Sequence, residues 1–185
     1  MITDHDRSGY FGASDTDKII GNWNTKTWEK WWMQKIGINT DHFDNRYTIA
    51  GTNWEHRILD SLGIPDLEKD KQIFVEDLRL RVNLDGNTPL RIKEVKTYQW
   101  AKGFKVPKKY INQVQVQMFA SGIREADIVS YGLEEADYDN FFRDIDPKRL
   151  QEHPVVYDPE WIAVVYLPKL RILADCLKRG VFPSV

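Results

Sequence analysis

Between Arg79 and Lys96 the chain reads RLRVNLDGNTPLRIKEVK, two β-prone runs joined by turn residues, and any fold of this chain must accommodate that pair. In the second run Ile92, Glu94 and Lys96 sit two apart, so strand alternation puts Glu94 and Lys96 on one face. The first run, Leu80, Val82 and Leu84, ends at Asp85-Gly86, where a tight turn is expected to swing the Asp85 carboxylate toward Glu94. Two converging acids repel unless a cation lies between them, and hard oxygen donors suit magnesium or manganese. A solvated hairpin with ordinary surface charges is the competing reading at this point.

A length of 185 residues suits one α/β or α+β domain over 1–185. Hydrophobic residues at 42% against 29% charged argue against both disorder and a membrane protein. Met1 to Gly9 has no apolar stretch of the secretory kind, so a cytoplasmic location is expected. Cys176 is the single cysteine, which leaves no intrachain disulfide and no cysteine cluster for zinc or iron and sulfur. A net charge of -2 gives no global pull toward nucleic acid, so such binding must come from local patches.

In chain order, RSGYFGASDTDKIIG suggests a helix capped by Ser14 and stopped at Gly21. Its free N–H groups, with Ser14 and nearby Arg7, would form an anion site. A helix from Thr25 or Thr27 carries Trp28, Trp31, Trp32 and Lys35 on one face, a pattern that packs into a core or interface, with base stacking by an exposed tryptophan as the alternative. The helix from Asn45 to Leu62 puts Glu55 on a stripe with Ile58, Leu59 and Leu62, where a carboxylate needs a partner or a metal. Gly51, a turn earlier, lets another element come close. Gln72 to Val75 adds a first strand, giving an antiparallel meander.

From Arg91 to Lys109, Arg91, Lys93, Lys96, Lys102, Lys105, Lys108 and Lys109 face one acid, Glu94, so a basic patch adjoins the acidic centre. That suits a phosphodiester held along its backbone. A helix from Lys108 to Ser121 has an apolar stripe of Ile111, Val114 and Met118 beside a polar one of Tyr110, Gln113 and Gln117. Ala126 to Tyr131 reads as a parallel strand after that crossover. The acidic run Glu134 to Asp146 is expected to face away from DNA or toward another subunit. Lys148 to Tyr157 suggests an edge strand interrupted by Pro154. Asp158-Pro159-Glu160 then opens a last helix that ends at Gly180 with a kink near Pro168.

Glu55 on a helix, Asp85 after a strand, Glu94-Val95-Lys96 on the next, and Tyr110, Gln113 and Gln117 on a helix form an ordered set that resembles the PD-(D/E)xK nuclease superfamily. RSGYFGASD, the Gly51-to-Glu55 helix, LDG, EVK and VPKKYINQVQVQM are similar to the phage alkaline exonucleases of the lambda exonuclease and YqaJ-type viral recombinase group. The resemblance spans roughly residues 7 to 131. It implies a mixed central sheet flanked by helices and a magnesium- or manganese-dependent 5′-to-3′ exonuclease that digests one strand of double-stranded DNA from a free end. It also implies a homotrimer and a single-strand annealing protein as partner in phage-type recombination.

Carried over residue by residue, the resemblance makes Asp85, Glu94, the Val95 carbonyl and Glu55 metal ligands, Lys96 the catalytic lysine and Gln113 its helper. Arg7 and Ser14 match residues that hold a 5′-phosphate, and Asn83 stands where the family can carry a serine for the same grip. Lys102, Lys105, Lys108, Lys109, Tyr110 and Gln117 would contact DNA. The rivals are a restriction-like or junction-resolving endonuclease of the same superfamily and a catalytically silent DNA-binding module.

Overall fold

A computed structural model describes residues 8–38 and 45–184. Five strands, β1 (Glu68–Val75), β2 (Leu80–Asn87), β3 (Arg91–Gln99), β4 (Glu125–Leu133) and β5 (Leu150–Val156), lie in sequence order in one sheet. The β3–β4 pair is parallel and the other three are antiparallel. The helices are α1 (Thr16–Ile20), α2 (Lys26–Lys35), α3 (Arg46–Ser61), α4 (Lys108–Ser121), α5 (Pro159–Trp161) and α6 (Leu167–Arg179). Helix α4 is the crossover that lets β4 run parallel to β3. The mixed sheet with flanking helices is the expected α+β architecture.

Two apolar cores sandwich the sheet. On one side Leu80, Val82, Leu84, Ile92, Ala126 and Ile128 meet Val114 and Met118 of α4 and Leu170, Leu173 and Leu177 of α6. The α2 tryptophans join that core: Trp28 and Trp32 stack at 5.3 Å, and Phe11 lies over Trp31 and Trp32. Their burial leaves them no face for a nucleobase. On the other side Ala50, Trp54, Ile58 and Leu59 of α3 cover Val95, Val129 and Tyr131.

Several boundaries differ from expectation. The β2–β3 turn lies at Thr88–Arg91, where Thr88 N–H donates to the Arg91 carbonyl and the Thr88 hydroxyl oxygen accepts from Arg91 N–H, so Asp85 and Gly86 are inside β2. Gly86 is there for space, since a Cβ would stand 3.0 Å from a Leu59 methyl. Pro154 lies within β5 without interrupting it, because an edge strand has one side without a sheet partner. The kink near Pro168 takes the form of a π turn over Ile162–Tyr166, which absorbs the hydrogen bond that Pro168 cannot donate. Ile111, expected on an apolar stripe, is 37% exposed.

Candidate active site

Strands β2 and β3 pair only at Gly86↔Lys93 and Asn87↔Ile92 and then diverge. Buried backbone groups on the separated edges need other partners, and each comes from a specific place. Phe11 N–H donates to the Arg79 carbonyl at 2.7 Å, and Arg81 N–H to the Phe11 carbonyl at 2.8 Å, so the N-terminal segment fills the outer part of the fork. Further in, the Gln117 amide donates to the Asn83 carbonyl at 3.1 Å. At the apex the Asp85 carboxylate accepts the Val95 N–H at 2.8 Å. The in-plane use of Asp85 brings its carboxylate beside Glu94, with no turn at that residue.

Glu94 is 2% exposed and saturated with donors. Gln113 Nε2 reaches Oε1 and Gln117 Nε2 reaches Oε2, both at 2.6 Å. Lys96 Nζ lies 2.7 Å from Oε1 and 4.8 Å from the centre of the Tyr110 ring. The polar stripe of α4 therefore clamps the Glu94–Lys96 pair. Glu55 approaches from α3 close enough to interact with the charges of Glu94 and Lys96 on β3, and no ion pair joins it to Arg57 among the described residues. Arg57 instead stacks on Trp54 and donates to the Phe141 carbonyl.

Electrostatics in the fork are strained in one direction. Burial, then Glu94 and Asp70, push the Glu55 carboxyl up to about 7. Burial, with Glu94 and Glu55 adding to it, raises Asp85 well above the usual carboxylate range. Burial opposes the Lys96 charge, but Glu94 and Asp85 outweigh it and hold the ammonium more tightly protonated. Three oxygen-bearing acids with one cation among them form a donor set that fits a hard divalent ion. Glu55, Asp85, Glu94 and the Val95 carbonyl are the groups that could hold it.

Two further residues join this centre that sequence reasoning missed. Glu55, His56 and Asp70 place their ligand atoms within 4.8 Å of one another, and His56 Nε2 lies 2.8 Å from Asp70. Asp70 lies on β1 between Lys69, paired with Gly86, and Lys71, paired with Leu84, in the left-handed region at φ 57°. The adjacent Glu55-His56 pair on one helix was the only local signal, and nothing local tied it to Asp70.

Other expected site residues fall elsewhere. Ser14 is exposed within a single helical turn over Ala13–Asp15 and caps no helix. The Asp15 carboxylate takes the Gly12 N–H at 2.8 Å and the buried Lys35 ammonium at 2.6 Å. That helix start already holds an internal anion. Arg7 lies outside the described residues. Asn83 is exposed and its side chain accepts from Gln72. Gln117, expected on DNA, is fully buried against Glu94, so it braces a carboxylate instead. Arg91 and Lys93 leave the basic patch, because Asp127, Glu125 and Glu152 bind them. Lys102 and Lys105 are exposed between β3 and α4, and Lys108 and Lys109 are exposed on the first turn of α4.

The raised acids make a testable link to stability. Glu55 and Asp85 hold a proton more tightly folded than unfolded, where carboxyls titrate near 4. For Glu55 the stability this brings is complete below about pH 4 and is lost as pH rises through about 7, and Asp85, raised as well, works in the same direction. Chelator-treated protein should therefore melt at a lower temperature at pH 8 than at pH 6, with magnesium raising the pH 8 value more. Scanning calorimetry of the protein and of Asp85→Asn, which keeps the acceptor for Val95 N–H without the charge, measures this. An equal or higher melting temperature at pH 8, unchanged by Asp85→Asn, would mean the acids do not strain the fold.

No family model matches the chain, and no curated protein does. Among solved structures, LHK-Exo in complex with dAMP superposes with a TM-score of 0.72 at 18% identity, over 95% of this chain and 91% of that one. The alkaline exonuclease LHK-Exo from Laribacter hongkongensis gives 0.66 at 19% identity, over 94% and 93%. A phage-related exonuclease from Haemophilus somnus 129PT gives 0.63 at 16%, over 92% of each. With the acids of the diverging strands in place, the chain has the fold of the alkaline and phage-related exonucleases.

Proposed function

We propose that this protein is a metal-dependent exonuclease that digests one strand of linear double-stranded DNA in the 5′-to-3′ direction. The observation that carries the reading is Glu94, a buried carboxylate held by Gln113, Gln117 and Lys96 beside Asp85 in the fork of β2 and β3. Its setting is a fold shared with solved exonucleases, one of them with dAMP bound. Strand polarity, an annealing partner in phage-type recombination and a homotrimeric ring follow from the sequence resemblance and form part of the same proposal.

Asp85, Glu94, Glu55 and the Val95 carbonyl would hold magnesium or manganese. A divalent ion bound there would supply a Lewis acid and a water of lowered pKa. Gln113 and Gln117 fix the Glu94 carboxylate so that no reorganisation is needed during the reaction. Lys96 stands ready to orient the attacking water and to offset charge that develops on the phosphate. Tyr110 holds the lysine chain in place from its open side. The exposed lysines between Trp100 and Tyr110 would take the phosphodiester backbone on its way to Lys96.

The direct test is digestion of end-labelled linear duplex, nicked circle and closed circle, with and without magnesium. Release of nucleotides from the linear substrate alone, and only with the metal, is expected. Cleavage of the closed circle would turn the reading to an endonuclease, and no hydrolysis of any substrate would leave a silent DNA-binding module.

A further inference from the structure

Past Lys96, strand β3 continues into Tyr98 and the chain turns through Trp100–Lys102. Trp100 is 39% exposed and lies against the bare backbone of β4. A Cβ on Gly132 would stand 2.4 Å from the indole and 3.1 Å from the Tyr98 ring. The glycine therefore provides a bed on which one side of the Trp100 ring rests, while much of the ring stays open to solvent. From Trp100 the aromatic surface continues inward. Tyr98 lies 6.3 Å from Trp100 and 4.9 Å from Phe104, and Phe104 is stacked with Tyr110, the ring beneath Lys96.

Charge follows the same line. Lys102, Lys105, Lys108 and Lys109 are all exposed on this segment, and none forms an ion pair among the described residues. Aromatic rings interleaved with lysines match the two needs of a single strand: bases need flat apolar surfaces and phosphates need cations. At about 3.3 Å per residue, Trp100 stands roughly 13 Å from Lys96 along β3, about four nucleotides of a stacked strand.

Building on the nuclease reading above, we propose that Trp100 is a stacking platform for a base of single-stranded DNA, with Lys102, Lys105, Lys108 and Lys109 holding the phosphates that lead to Lys96. Trp100 does not touch the reacting phosphate; it positions the strand. Backing by Gly132 makes the platform rigid, which limits the ordering lost on binding.

The test is binding rather than turnover. The full chain in EDTA is titrated with a short single-stranded oligonucleotide carrying 2-aminopurine, comparing the parent protein with Trp100→Ala, Trp100→Phe, Gly132→Ala and Phe142→Ala. Phe142 is an exposed ring on the acidic segment and serves as control. Trp100→Ala should weaken binding roughly ten- to a hundredfold and remove the quenching of 2-aminopurine. Trp100→Phe should restore most of the affinity, Gly132→Ala should resemble Trp100→Ala, and Phe142→Ala should match the parent. Circular dichroism of each variant separates unfolding from lost stacking, and a folded Trp100→Phe with restored quenching supports the platform even if Trp100→Ala unfolds. Equal affinity in Trp100→Ala, equal losses in the Ala and Phe variants, or no single-strand binding by the parent would overturn it. Trp100-dependent binding without hydrolysis of linear duplex would sink the nuclease reading alone. Normal digestion with Trp100-independent binding would sink the platform alone.

Discussion

Glu94→Gln should lower the hydrolysis of linear duplex by roughly a thousandfold or more while the protein stays folded. The substitution keeps shape and removes charge. In the parent, one carboxylate accepts from Gln113, Gln117 and Lys96. A glutamine offers one oxygen and one NH2 group, so one of the facing amides must turn to present its oxygen. Gln117 can do so, because its buried Oε1 has no hydrogen-bond partner among the described residues. Packing and the contacts to residue 94 can thus be kept, at the loss of the Gln117 bond to the Asn83 carbonyl, while the anion is removed. Removing a single preorganised electrostatic contact costs about a hundred- to a thousandfold in rate, and here a cation ligand and the anchor of Lys96 go together. Nucleotide release in magnesium, measured beside a thermal melt, gives the comparison. A rate within tenfold of the parent would mean that Glu94 is not at the reacting centre.

The strand carrying Glu94 and Lys96 was readable because alternation in a buried strand leaves little freedom. Ile92 faces the core and fixes the face of both residues. Helix α4 was readable for the same reason, since Val114 and Met118 set its buried side and place Gln113 and Gln117 next to it. The role of Gln117 was not readable. Whether a polar residue beside an apolar stripe points to solvent or to a buried carboxylate depends on what lies across the gap, and that is set by β3.

Asp85-Gly86 was misplaced for a more general reason. The pair is the common dipeptide of tight hairpins, yet Asp85 is used in the plane of the sheet for Val95 N–H and Gly86 yields room to Leu59. Both uses rest on tertiary partners distant in sequence. Ser14 failed similarly: the residue beside it, Asp15, is held by Lys35 and Trp31, so the local cap signal lost to a buried ion pair. Asp70 had no readable signal, since its contact with His56 joins β1 to α3, elements that no local pattern ties together.

The acidic run after β4 is the clearest case of a charge pattern concealing structure, and it carries the largest expected effect on stability. Glu135 and Asp139 are exposed and pair with Arg46 at the surface, but Asp137 is fully buried. Its carboxylate binds Arg149 at 2.5 Å and Arg143 at 2.7 Å and takes the Glu134 N–H at 2.8 Å. Arg149, itself buried, also donates to the carbonyl of Gly132, the residue beneath Trp100. Removing one member of a buried pair leaves the other charge stranded, at a cost of about 3–5 kcal/mol. At about 2–4 °C per kcal/mol for a chain of this size, Asp137→Ala should lower the melting temperature by roughly 10 °C or more. Glu135→Ala, which removes a surface pair, should change stability by about 1 kcal/mol at most. The two variants melted side by side decide the matter. If they lose the same small amount, Glu134 and Asp146, at 3.8 and 3.6 Å from Arg149, have taken over the charge, and Asp137 is not what ties the segment to the sheet.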